Sequence, residues 1–533
     1  MRALATTLLL ALGAFAPLAD AQIVHPDREI EAPGHTTTGW LDEGFGQTLA
    51  IDGDRLAIGA PNNDYGKGAV YVFERSSSGA FEEVAFLTHQ PIVGVSNSFG
   101  IDVALEGDRL VVGTWDSLVR VYERGASGAW SLVSTILEPN VDDDWFGLSV
   151  ALEGDRIAVT ARASDHLDGP PHLYVFERDP GGAWPLVGSA TLPMNGHQTD
   201  FGLDLAMSGD LIAVGVPRDP NTTIWRSGSV YLAQPSAGDW DFFAGFTAPV
   251  PEPGARFGDA IAFGDGRLFV GETHSDAAGE SSGSVHVFTY GRSGITHEAE
   301  FQANDTAPMD RFGSDLEVDG DDLVVAAPGA HAFTGEASGV VYHFVRREDG
   351  SYFQSGRIEL PDPTDDDELG RPGDQSIGLD DGRLVLGSPM HDDEVGVVYE
   401  IDLLPLLHRE STIESSIGGM QHLELRAGAD RAGHAFFLLG SLGGTSPGIA
   451  LGGGVEVPLV LDAYTSLTAS GQGSFVNGSG WLGPDGEASS IYFLQQFKAE
   501  PLAGLAVFHA FVTIDPFTFD TFASNAVAVE LTP

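Results

Sequence analysis

The chain of 533 residues contains no cysteine. That absence excludes a disulfide framework and any thiolate-ligated metal, so packing and backbone ladders must hold the fold. Basic residues are scarce: 26 stand against 77 acids, for a formal net charge of −51, and only Lys67 and Lys498 are lysines. Phosphates would be repelled at nearly every approach, which excludes nucleic acid or an anionic lipid surface as an electrostatically driven partner. Beyond the N-terminal region, no apolar run approaches the roughly 18 residues of a membrane span without a glycine interruption. Disorder is excluded as well, because hydrophobic residues make up 42% of the chain and the charge is spread among them.

What is present begins with an address. Met1 and Arg2 precede a leucine-rich apolar stretch from Ala3 to Ala16, and Ala19-Asp20-Ala21 supplies a small-x-small cleavage pattern. Residues 1–21 therefore read as a secretory signal with a mature start at Gln22, a retained anchor being the alternative. Export without cysteine points to a secreted, cell-envelope or cell-surface protein of bacterial type.

Glycine (69) and proline (30) are abundant, favouring short strands and many turns over long helices. They are also periodic. Phe-Gly recurs at Phe45, Phe99, Phe146, Phe201, Phe257 and Phe312, with a degenerate copy at Leu369-Gly370, at spacings of 54, 47, 55, 56, 55 and 57 residues. Each copy continues with an alternating strand and a tight turn such as Asp52-Gly53-Asp54, Glu106-Gly107-Asp108 or Glu153-Gly154-Asp155. A second apolar strand then runs into Gly59-Ala60-Pro61, Gly215-Val216-Pro217, Ala326-Ala327-Pro328 or Gly387-Ser388-Pro389. Glycine opens a third strand (Gly68, Gly228, Gly283, Gly339), and a polar hairpin leads to a fourth that carries Phe81, Trp130, Trp184, Trp240 or Tyr352. Four strands per repeat of this length make a propeller blade.

These two motifs, recurring in register over residues 22–407, resemble the FG-GAP repeat of integrin alpha-subunit propellers and of many bacterial surface proteins. The resemblance implies a seven-bladed β-propeller. Closure is legible separately. The seventh copy ends at Val397–Ile401 without an aromatic fourth strand, whereas Arg28-Glu29-Ile30-Glu31-Ala32 precedes the first Phe-Gly with no blade of its own. The N-terminal segment is thus expected to complete blade 7.

The resemblance also implies calcium loops between the first and second strands. The turns found here are too short to wrap a cation, so hairpin chemistry is the reading; no cofactor is firmly implied, and Ca²⁺ stays open as an alternative. A second set of side chains lies five residues beyond the end of strand two: Asp64, Asp165, Asp276, His331 and Asp392, in blades 1, 3, 5, 6 and 7. With Asp142-Asp143-Asp144 and Asp365–Glu368 they predict one acidic rim, as ligand or cation candidates or as ordinary loop residues. Arginines suggest no comparable patch; Glu74-Arg75, Glu123-Arg124 and Glu177-Arg178 read as local charge pairs or solvated edges, each worth about 0–1 kcal/mol. Aromatic residues read as blade packing, with Trp115 and Trp225 as the candidates for exposure.

No catalytic set is recognisable. Gly444-Thr445-Ser446-Pro447-Gly448 fits a nucleophile string, but Pro447 lacks the N–H that would face an oxyanion. Residues 408–533 leave the Phe-Gly register and alternate apolar stretches with glycine-rich turns, which predicts a C-terminal antiparallel β-sandwich. They hold only 12 acids and 4 bases, so most of the negative charge belongs to residues 1–407. The sequence therefore describes an exported, all-β, non-enzymatic binding or adhesion-type protein. Its propeller loops would meet a protein or carbohydrate partner; the alternative is an extracellular hydrolase or lyase acting on a glycan or ester at the channel.

Overall fold

The computed structural model describes most of residues 22–403 and, beyond them, little but the strands between Leu406 and Thr532. Outside the described residues lie 1–21, the loop segments 25–27, 34–43, 77–79, 90–96, 141–142, 164–169, 194–198, 265, 292–293, 333–337, 347–349, 361–368, 371–374 and 391–395, and most connections after 403. The chain divides into two compact units, one spanning Ile23–Ile401 and one taking in Asp402–Pro533.

The first unit is a ring of seven four-stranded antiparallel sheets. Blade 1 runs outward through Thr48–Asp52, Arg55–Ala60, Ala69–Arg75 and Phe81–Thr88. The inner strands of the following blades are Val103–Glu106, Val150–Glu153, Leu205–Ser208, Phe257–Gly264, Leu316–Asp319 and Ile377–Asp380. Neighbouring inner strands touch in cyclic order, and Ile377–Asp380 meets Thr48–Asp52 to shut the ring. The closing strand of blade 7 is Arg28–Glu31, paired antiparallel with Val397–Asp402 so that Ile30 faces Val398. Gln22–Val24 adds a further strand to the outer edge of blade 6, so this segment ties two blades.

The Phe-Gly pair explains the cohesion of the ring. Phe45, Phe99, Phe146, Phe201, Phe257, Phe312 and Leu369 are all fully buried, the six phenylalanines within hydrophobic clusters shared by adjacent blades, as with Phe99 among Ala57, Val70 and Val112. The glycine takes a positive φ, +87° at Gly100 and +91° at Gly313, which an L side chain resists. In five of the seven interfaces its carbonyl turns onto the glycine that ends strand two of the preceding blade; Thr160 and Ala326 stand there in the other two. A Cβ on Gly271 would overlap the Gly313 carbonyl, and one on Gly387 would overlap that of Gly46 across the closure. The two repeat motifs are therefore the two halves of one contact between blades.

On the face that carries the strand one–strand two turns, the acids and arginines interlock. Asp52 accepts from the Gly107 N–H, and Arg55 Nη1 donates to the Gly107 carbonyl at 3.2 Å. Glu106 and Arg109 hold Gly154, Glu153 and Arg156 hold Gly209, and Asp380 and Arg383 hold Gly53 in the same way. The Glu-Arg dipeptides are not local pairs. Arg124 Nη2 donates to Glu74 of the preceding blade at 2.8 Å, Arg178 Nη2 stands 2.9 Å from Glu123, and Arg75 pairs with Glu400 of blade 7.

The second unit contains a four-stranded sheet built on Gly419–Arg426 paired with Glu487–Leu494 and a six-stranded sheet built on Ala435–Ser441 paired with Ala506–Ile514. Pairing is antiparallel except between Thr412–Glu414 and Val527–Thr532, which run parallel. Among the described residues, no helix is long and apolar enough to cross a membrane.

Candidate binding site at the channel mouth

The face opposite the turns is built from two residues per blade. One precedes Phe-Gly and enters the inner strand; the other leaves strand two. In blades 2, 4, 5 and 6 a backbone bond holds these segments side by side: Trp115 N to Asn97 O at 2.7 Å, Arg218 N to Thr199 O at 3.1 Å, His274 N to Ala255 O at 3.0 Å and Gly329 N to Asp310 O at 3.0 Å. Reversing into the Phe-Gly bend puts the residue before it in the left-handed region in every described blade: Gly44, Ser98, Trp145, Asp200, Arg256 and Arg311, with φ between +43° and +64°. For side chains as large as Trp, Arg and Asp that backbone costs on the order of 1–2 kcal/mol each.

These positions bring together a continuous array across blades 2 to 5. Trp115, 47% exposed, stacks obliquely on Trp145 with centroids 5.4 Å apart. The Arg162 guanidinium lies over the other ring of the pair, 5.5 Å from the Trp145 centroid, and its Nε donates to the Phe201 carbonyl at 3.0 Å. Asp200 sits among three arginines: Arg162 at 3.9 Å, Arg218 at 3.1 Å and Arg256 at 3.5 Å. Arg256 also makes a forked pair with the fully buried Asp259, at 2.7 and 2.8 Å. Thr273 donates to the same carboxylate and contacts His274 Nδ1 at 2.8 Å. Burial pushes the His274 pKa down; Asp259 pulls it up, and Arg256, Arg311 and Arg218 push it down again. Arg311, next in the ring, has a buried Nε with no hydrogen-bond partner among the described residues.

Four guanidinium groups, Arg162, Arg218, Arg256 and Arg311, thus stand on the face where the sequence led one to expect acids alone. Arginines far apart in sequence occupy equivalent places in successive blades, and a linear reading that looks for runs of like charge does not see them. Trp115 and Trp225 are exposed, as anticipated, Trp225 at 69%. Of the residues singled out by sequence, Asp64, Asp276 and His331 sit in strand two–strand three loops. Asp64 pairs with Lys67 three residues on. Asp276 accepts the Ser281 N–H at 2.8 Å, while its own N–H donates to Glu252 at 2.9 Å. His331 is exposed, and its carbonyl accepts from Arg357. Asp165 and Asp392 lie outside the described residues. Among the described residues, no group of three or more His, Asp or Glu side chains is arranged to hold a metal ion.

Below the mouth the inner strands carry acids that sequence reasoning missed. The residue entering each inner strand is Asp102, Asp204 or Asp315 in blades 2, 4 and 6, and Thr48, Ser149, Ala260 or Ser376 in the others. Each Asp accepts a backbone N–H of the next blade: Val150 at 2.6 Å, Ile261 at 2.5 Å and Ser376 at 2.9 Å. Gln375 Nε2 donates across the channel to Asp204 Oδ1 at 3.3 Å, joining blade 7 to blade 4. Burial pushes Asp102 up to about 8, Asp204 to about 6 and Glu317 to about 8, and Asp315 well above the ordinary carboxyl range; Asp204 is a neighbouring charge for the other three. The visible signal was Phe-Gly-x-Asp in alternate repeats.

With this geometry the class is defined: a seven-bladed β-propeller whose loop face carries a tryptophan and arginine array. The family model described as "FG-GAP repeat" matches residues 39–73, 130–176 and 295–344, and these stretches are FG-GAP repeats. No curated protein matches the chain. Among solved structures, a protein from Lactobacillus plantarum is 14% identical, with 60% of this chain and 86% of that chain covered and a TM-score of 0.41. Sqt1 from Saccharomyces cerevisiae is 13% identical over 72% of this chain and 98% of its own, with a TM-score of 0.40. Sqt1 from Chaetomium thermophilum is 15% identical over 72% of this chain and 100% of its own, with a TM-score of 0.41.

Proposed function

We propose that the protein is an exported, non-enzymatic binding protein of the cell envelope or its surroundings, and that its recognition surface is the channel mouth. The observation that carries this reading is the placement of Trp145, Asp200, Arg256 and Arg311 in left-handed backbone, where Gly44 serves blade 1 at lower cost. Large polar and aromatic side chains kept at a strained position on a rigid ring suit contact with a partner better than cohesion of the blades. Asp64, Asp276 and His331, in loops of the same face, belong to this reading as outlying contacts. The test is capture from envelope extract by the immobilised full chain and by its Trp115→Ala and Arg218→Gln variants. A protein or glycan component held by the parent and lost from both variants is expected; identical captured sets would overturn the mouth as the recognition surface.

A specific observation favours a second reading. His274, whose pKa burial and the charges of Arg256, Arg311 and Arg218 hold down, is an imidazole able to accept a proton beside guanidinium groups that would stabilise an anion. A hydrolase or lyase acting at the mouth would use it as general base. Turnover of an envelope glycan or ester by the parent chain, abolished in His274→Ala, would replace binding with catalysis.

A further inference from the structure

We propose that the mouth takes a saccharide unit bearing a carboxylate, its ring seated on the Trp115–Trp145 pair and its carboxylate received by Arg218 and its neighbours. This inference rests on the channel mouth being the recognition surface.

The aromatic half is the first observation. Trp115 is 47% exposed and its ring is tilted 46° against the half-buried Trp145, and the C–H face of a pyranose packs on such an open ring while its hydroxyls remain in water. The guanidinium half adjoins it directly, since Arg162 lies over Trp145 and reaches Asp200, which Arg218 and Arg256 share. Three guanidinium groups, of Arg162, Arg218 and Arg256, share the two carboxylates of Asp200 and Asp259. Arg218 contributes Nε to Asp200 while its side chain is 41% exposed. A planar fork matches a carboxylate in two parallel hydrogen bonds. Asp200 and Asp259 hold the guanidinium groups in place before a ligand arrives, which lowers the entropy lost on binding.

Net charge narrows the class. At −51, the molecule as a whole repels a long polyanion, so a densely charged chain would lose beyond the mouth what it gained within it. A single acidic sugar, or a short acidic end of a glycan, fits both the local cluster of guanidinium groups and the surrounding negative field.

The test is calorimetric titration of the full chain with trisaccharides of glucuronic, galacturonic, mannuronic and guluronic acid. Parallel arms use their methyl esters, neutral maltotriose and tri-glutamate. At least one free acid should bind, with its methyl ester at least tenfold weaker. Arg218→Gln and Trp115→Ala should each weaken that binding at least tenfold while thermal unfolding stays that of the parent. Arg218→Gln, a surface truncation, keeps the test sound should the tryptophan variant fold poorly. Binding of maltotriose or tri-glutamate in place of the acids, sensitive to the same variants, would overturn the acidic-sugar assignment and keep the mouth as recognition surface. Binding of an acid at equal strength in both variants, or no binding by any of the four acids, would overturn the proposal. Captured extract components that are also unchanged in the variants would then overturn the wider reading too.

Discussion

At the scale of single residues, the buried acids of the inner strands set how this protein answers pH. Asp102 and Glu317 are pushed up to about 8 and Asp204 to about 6, chiefly by burial. The folded state thus binds their protons more tightly than the unfolded chain, whose carboxyls titrate near 4. Unfolding releases protons throughout that window, so stability falls as pH rises from about 4 and the loss is complete above about 8. The melting temperature at pH 5.5 should exceed that at pH 8.5, and Asp102→Asn and Glu317→Gln should each flatten the difference. A pH dependence unchanged in both variants would refute this assignment. The amides also separate this effect from the general self-repulsion of a molecule of charge −51, which they leave almost intact.

At the scale of elements, the unit of cohesion is the contact between Phe-Gly of one blade and the glycine closing strand two of the blade before it. Gly271 has no room for a Cβ against the Gly313 backbone, whereas a Cβ on the turn residue Gly53 would meet nothing within 4 Å. Both positions are glycine, yet the demands differ: Gly53 is held by its φ of +57°, Gly271 by the approach of a neighbouring blade. Gly53→Ala should cost about 1 kcal/mol, and Gly271→Ala at least about twice that, because two blades must part. Chemical denaturation of the two variants reads the difference, and equal costs would contradict the interblade account. The repeat motifs were plain in the sequence. Their mutual contact was not, since Gly271 and Gly313 belong to different repeats and only the ring turns one onto the other.

At the scale of the whole molecule, seven blades must be joined end to end without a disulfide, and the N-terminal segment does so. Arg28–Glu31 completes blade 7 while Gln22–Val24 joins blade 6. The interlocks on the turn face continue through the same closure, from Asp380 and Arg383 to Gly53 and from Arg75 to Glu400. Deleting residues 22–33 leaves Val398 and its neighbours without their ladder and should lower the melting temperature sharply; an unchanged value would show that the side-chain interlocks alone hold the ring.

What the sequence determined by itself is the local grammar: the alternation of the strands, the glycine turns, the count of repeats, and an N-terminal strand without a blade. Each of these follows from backbone conformation and side-chain period over a few residues. The tertiary structure decided which distant residues share a place. It turned the acids and arginines of separate repeats into interlocks, set Asp102, Asp204 and Asp315 against the next blade, and gathered Arg162, Arg218 and Arg256 around Asp200 in a chain that is otherwise strongly acidic. Ring geometry brings segments of successive repeats side by side, so the arginines around Asp200 lie 38, 18 and 56 residues from it, and no charge run along the chain announces them.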